Sequence, residues 1–84
     1  MEIEIGHNTG EINEEGTELT VYFSPNGWDS RKKWREDLEA AAQNDHDGIN
    51  EAVWIALEEA GYELGENHVF DEDTKTITYE ICKI

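Results

Sequence analysis

Between Glu36 and Thr74 the chain carries thirteen Asp or Glu residues and not one Lys or Arg. Over all 84 residues there are 21 acids and 6 bases, a formal net charge of -15. Self-repulsion on that scale destabilises a compact state, and solubility is already secured by a net charge several units smaller. Something must compensate for keeping it. A compact domain of this length has a radius of gyration of roughly 12 Å and is about 30 Å across. Duplex DNA carries one negative charge per about 1.7 Å of axis, or roughly 18 over the same span. The protein therefore presents nearly the charge of an equal length of DNA.

The length fits a single compact acidic domain, residues 1–84, with limited surface to bury. Hydrophobic residues make up 37% and aromatics 10%, with three Trp, which supports a modest core. A solvated acidic tail would be poor in aromatics and in periodicity. Cys82 is the only cysteine, so no intramolecular disulfide forms, and a reducing cytosol is the expected compartment. The start, Met1-Glu2-Ile3-Glu4, lacks the basic and apolar regions of a signal peptide. No apolar run approaches the roughly 18 residues of a membrane-spanning helix. Anionic membranes and nucleic-acid backbones should both be repelled. The expected partner is a basic protein surface, with no direct nucleic acid and no membrane.

Hydrophobic patterning predicts the order ββααββ. Residues 1–5 alternate, with Met1, Ile3 and Ile5 on one side, and read as a short strand. Residues 7–16 are rich in turn formers and read as a loop or wide hairpin connection. Residues 18–23 (ELTVYF) form the clearest strand, stopped by the turn chemistry of Ser24-Pro25-Asn26-Gly27. Asp29 or Ser30 caps a helix to about Asn44, with Trp34, Leu38, Ala41 and Ala42 as its narrow apolar stripe. Asp47 caps a second helix from Gly48 to Ala60, its buried face made of Ile49, Val53, Ala56, Leu57 and Ala60, and Gly61 stops it. A closing hairpin follows. Pairing Phe70 with Thr76 would place Val69, Ile77, Tyr79 and Ile81 on the face toward the helices. The outward face would then show Thr20, Tyr22, His68, Phe70, Thr76 and Thr78, which could serve as a dimer surface. The expected class is α+β: a small antiparallel sheet of about four strands with two helices packed on one face.

Few residues point to chemistry. Asp45-His46-Asp47-Gly48 suggests a calcium loop, but with Gly48 at loop position 6 the first ligand would be Gln43 and the twelfth Trp54. An Asx turn feeding a helix cap is the better reading. His7, His46 and His68 lie in separate segments without metal-ligand spacing to Cys82, so each reads as a surface or loop histidine. A catalytic thiol needs a paired His and an electropositive setting, and the field of this chain opposes a thiolate. The expectation is a protein with no catalytic residues, no metal and no cofactor.

Surface chemistry is more informative. Four of the six bases crowd into Arg31-Lys32-Lys33-Trp34-Arg35, where positive charge opposes the dipole of the first helix. These bases either neutralise carboxylates of other segments or mark the side that faces away from a basic partner. On the second helix Asp47, Glu51, Trp54 and Glu58 fall within about 60° of one another. An indole thus stands in the middle of a carboxylate face, unless Trp54 leans toward Leu57 into the core. Acids steer a basic partner and a rigid aromatic supplies hot-spot contact. The expected partner-binding residues are Asp47, Glu51, Trp54 and Glu58 with Asp71, Glu72 and Asp73 of the hairpin tip.

The base-free stretch from Glu36 to Asp73, the Asp47–Glu51–Glu58 face and Asp71-Glu72-Asp73 give the chain its character. In composition it resembles small acidic phage-encoded anti-defence proteins, the anti-CRISPR and anti-restriction inhibitors, several of which mimic DNA. The resemblance implies a nuclease or surveillance complex as partner and the bacterial cytoplasm as location. These families share no diagnostic motif, so no residue role transfers, and the basic run Arg31–Arg35 departs from a uniform mimic. Two other readings stand beside it: an acidic antitoxin or regulatory subunit, and an ordinary domain from a salt-loving organism.

Overall fold

The computed structural model describes residues 1–23, 30–43 and 46–84. It contains β1 (Glu2–Ile5), β2 (Asn8–Ile12), β3 (Glu18–Tyr22), α1 (Arg31–Ala42), α2 (Asp47–Ala60), β4 (Tyr62–Asp71) and β5 (Thr76–Lys83). The strands form one antiparallel sheet in the order β1-β2-β3-β5-β4. The class is α+β as the patterning predicts, but the sheet has five strands rather than four. The Ser24–Gly27 turn, the alternative cap Asp29 and the Asx turn at Asp45 lie outside the described residues.

The added strand is β2, in the segment expected to be a loop. Its sequence, NTGEI, offers one large apolar residue, so pattern alone does not announce it. Pairing on both sides makes it a strand. Gly6, at φ 60, permits the tight turn from β1, and Gly10 lies under the neighbouring side chains. A Cβ on Gly10 would meet Leu19 at 2.9 Å and Ile5 at 3.1 Å. The missing side chain therefore lets the β1 and β3 residues close over this strand.

One face of the sheet carries the core. Ile5, Ile12, Leu19, Val21, Ile77, Tyr79 and Ile81 share it, and they pack against Ala41 of α1 and Ile49, Val53 and Leu57 of α2. The helix α2 packs against β1 and β4, the two edges of the sheet, so the sheet curls around it. Ser30 caps α1 by accepting from the Lys32 amide at 3.2 Å. The cap of α2 differs from expectation: Asp47 is the first helical residue and His46 the cap, with no side-chain capping bond. Gly61 ends α2 in the left-handed conformation, φ 88.

The closing hairpin is one residue tighter than expected. Asp71 pairs with Thr76 and Phe70 with Ile77. The Asp71 carboxylate accepts from the Asp73 amide at 2.9 Å and the Thr74 amide at 3.4 Å, and Lys75 takes φ 55. This Asx turn draws Asp71 into the strand. A one-residue slip reverses every side chain of the strand. Val69 thus points outward, 68% exposed, while Phe70 packs on the core and meets Phe23 edge-on at 6.0 Å. His68 and Phe70 consequently leave the outward face assigned to them. Thr20, Tyr22, Thr76 and Thr78 keep that face, joined by Glu2, Glu4, Thr9, Glu11 and Val69.

Candidate functional site

Burial sorts the charged side chains sharply. Of the nineteen described Asp and Glu residues, eighteen are exposed, and Asp37 is the exception. Among the described residues the ion pairs are the N-terminus with Glu11 at 3.1 Å and Lys32 with Glu36 at 4.0 Å, both solvent-exposed. Such pairs contribute little to stability. The bases of α1 do not tie down carboxylates of other described segments. Arg31, Lys32, Lys33 and Arg35 all face solvent, and they make one end of α1 locally positive.

Asp47, Glu51, Trp54 and Glu58 come together on the solvent side of α2, as their spacing predicts. Trp54 is 55% exposed and lies outside the core. The tip residues Asp71, Glu72 and Asp73 are exposed as well, but they belong to a second patch. Glu72 and Asp73 line a hollow of about 380 Å³ with Leu38, Glu39 and Ala42 of α1 and Phe70 of β4. Asp71 spends its carboxylate on the turn. The structure thus divides the predicted site in two: an acid-and-indole ridge on α2, and a turn that faces α1.

A polar network fixes the orientation of α2, and sequence spacing gives no sign of it. His46, 8% exposed, has Nε2 2.8 Å from the Ala41 carbonyl oxygen and Nδ1 2.8 Å from His68 Nε2. A carbonyl only accepts, so His46 Nε2 carries hydrogen. In neutral His46 the Nδ1 atom then accepts, and His68 donates from Nε2. The His68 ring stacks on Tyr79 at 5.2 Å, and the Tyr79 hydroxyl donates to Asn50 Oδ1 at 2.6 Å. The network joins the end of α1, the first turns of α2, β4 and β5. His46 is therefore buried rather than a surface residue, whereas His68 stays exposed, and the two meet although they lie in separate segments. Residues 22 apart in sequence carry no local signal that they will meet; the β4 register and the α1–α2 junction bring them together.

Two titratable groups are displaced from their ordinary range. Burial raises the Asp37 carboxyl, an effect opposed by the amide of Asn8 at 3.4 Å and by the charge of His7. Burial also pushes the Tyr79 phenol up. Among the described residues no group of three His, Cys, Asp or Glu side chains could hold a metal ion, and no helix is long and apolar enough to cross a membrane. What this surface offers chemically is a field of solvated carboxylates with an exposed indole inside it. Comparison with protein-family models, curated proteins and solved structures finds no match to this chain.

Proposed function

We propose that this domain is a non-enzymatic inhibitor that occupies the basic nucleic-acid-binding surface of a bacterial defence nuclease or CRISPR surveillance complex, as an acidic mimic of DNA. The exposure of eighteen carboxylates, two of them in ion pairs among the described residues, carries this reading. Charge that is not spent within the fold, as that of Asp71 is on its turn, is available to a partner. The body measures 36 × 22 × 20 Å, so its long axis bears one net negative charge per 2.4 Å (36 Å shared by 15 charges). Duplex DNA bears one per about 1.7 Å, and one helical turn spans about 34–36 Å. Lys and Arg side chains lining a nucleic-acid channel would meet a comparable density of anionic oxygens. The ridge of Asp47, Glu51 and Glu58 supplies charge at the contact, with Trp54 as its anchor. The bases of α1 mark the end that faces away. Occupancy of this kind needs no cofactor and no bond-making step.

The test is competition. A fluorescently labelled duplex is bound to a restriction nuclease or an RNA-guided effector, and the protein is titrated in while anisotropy is followed. Displacement is expected, weakening at least about ten-fold as salt rises from about 50 to about 200 mM. A complex in which effector, duplex and protein coexist would instead identify a regulatory subunit that covers a basic partner without imitating DNA.

A further inference from the structure

Beside the acidic ridge, α2 and the edge strand β1 enclose a groove. Three hollows of about 150, 260 and 400 Å³ follow one another along it. The first and second share Gly6 and Ala52, and the second and third share Glu4, Ala56 and Glu59. They therefore form one continuous channel. Its floor is apolar, from Ile3, Ala52 and Ala56, and the exposed Glu59 of α2 stands on its rim. Ile55 stands at the lip, 48% exposed. At about 100° per residue it falls about 40° from Glu51 and about 60° from Ala52, so ridge and groove are one surface.

The groove also has a backbone edge. Met1 and Ile12 exchange both main-chain bonds, each at 2.8 Å. In an antiparallel pair such exchanges alternate along the strand. Ile3 and Ile5 therefore turn their amides and carbonyls toward β2, while Glu2 and Glu4 turn theirs outward. Among the described residues no strand pairs on that side, since β1 ends the sheet. The Glu2 and Glu4 side chains point to the helix-free face and that of Ile3 to the groove.

We infer that this groove takes an extended segment of the basic partner, with apolar residues alternating with Lys or Arg, added as a sixth strand on the edge of β1. The proposal rests on the partner being a basic protein and names the element by which it is held. Alternate side chains of an added strand point to opposite faces. One set fills the apolar floor beside Ile55, and the other lies across from Glu2 and Glu4, where opposite charges attract. A second copy of this chain fits poorly. Pairing β1 with itself would bring Glu2 and Glu4 against their own kind and join two bodies of net charge -15.

The probes are two capped hexapeptides of one composition, alternating Lys-Val and the block Lys-Lys-Lys-Val-Val-Val, titrated into the full chain by calorimetry. The alternating peptide should bind at least about ten-fold tighter, equivalent to about 1.4 kcal/mol, and should slow hydrogen exchange at the Glu2 and Glu4 amides. Ile55→Asp should weaken the alternating peptide about five-fold or more, although it adds a negative charge that favours any purely electrostatic contact. The peptide comparison needs no variant, and a melting curve shows whether Ile55→Asp is folded. Equal affinities, or binding without protection at Glu2 and Glu4, would overturn the added strand and leave the charge-driven reading standing. Failure of both peptides to bind at low salt would remove both. Sedimentation should show a monomer; a dimer dissociated by Ile55→Asp would assign the groove to a second copy and overturn the proposal.

Discussion

Two aromatic side chains behave oppositely. Trp54 stands on the solvent side of α2, so Trp54→Ala should change unfolding free energy by only about 0.5 kcal/mol. Its cost should appear in partner binding, about 2 kcal/mol or more if the indole is an anchor. Urea melts and titration calorimetry of the same variant separate the two, and a loss of several kcal/mol in the melt would make Trp54 a core residue. Tyr79 is the reverse case, fully buried with its hydroxyl on Asn50. Tyr79→Phe leaves the Asn50 carbonyl without its donor and should cost about 1–2 kcal/mol of stability, with binding unchanged. Helical spacing set Asp47, Glu51 and Glu58 around Trp54 at fixed angles but left open whether the indole leans toward Leu57, which its 55% exposure decides. The Tyr79 environment was not legible from spacing, because His46, His68 and Asn50 reach it from three elements.

Among the elements, β3, both helices and β5 were legible because each carries its apolar residues at its own period. The strand β2 was not, since its place follows from its neighbours, and the β4 register turned on a single Asx turn. The bulge of β4 is equally hidden in sequence. Between Leu64, paired with Ile81, and His68, paired with Tyr79, three residues face Glu80 alone. Gly65 lies in this bulge, and a Cβ there would sit 2.7 Å from the Glu80 carbonyl oxygen. Gly65→Ala should therefore cost about 1–3 kcal/mol through a forced backbone shift. Gly48→Ala in α2 is the control: nothing lies within 4 Å of its Cβ position, and the change should stabilise by up to about 1 kcal/mol. Thermal melts of the two variants should move in opposite directions, and equal shifts would mean that the bulge backbone is free to adjust.

At the scale of the molecule, protonation and folding are coupled at Asp37. Burial raises the Asp37 carboxyl above 3.8 in the folded state, so folding takes up protons there. The associated stability is present below the ordinary carboxylate value and is lost as pH rises through the raised one. Asp37→Asn keeps an acceptor for Asn8 and removes the charge. The variant should be more stable than the parent at pH 7, with the difference vanishing below 3.8. Guanidinium melts from neutral to acid pH check the sign, and a less stable variant at neutral pH would show that the charge itself is used. Reversing Glu51 and Glu58 to Lys should weaken partner binding at least about ten-fold more than reversing Glu14 and Glu15, which changes net charge equally. Equal losses would mean that bulk charge alone decides affinity.

The eighteen solvated carboxylates have a consequence for heredity as well as for binding. Because most of them, Asp71 of the hairpin turn aside, are tied to no fixed geometric role within the fold, an acid away from the contact can be exchanged for its homologue, moved along an exposed face or neutralised, and the total field changes by a small fraction. Away from the contact, selection acts on a sum rather than on positions. Lineages can then diverge at the acids away from the contact while the potential is maintained, and the residues that stay recognisable will be those of the scaffold and the contact: Gly6, Gly10, Gly65 and Asp71 with the His46–His68–Tyr79 junction and the Glu51–Trp54–Glu58 ridge. A saturation-mutagenesis profile should show that asymmetry directly, with tolerance across the remaining acids and intolerance at those few joints.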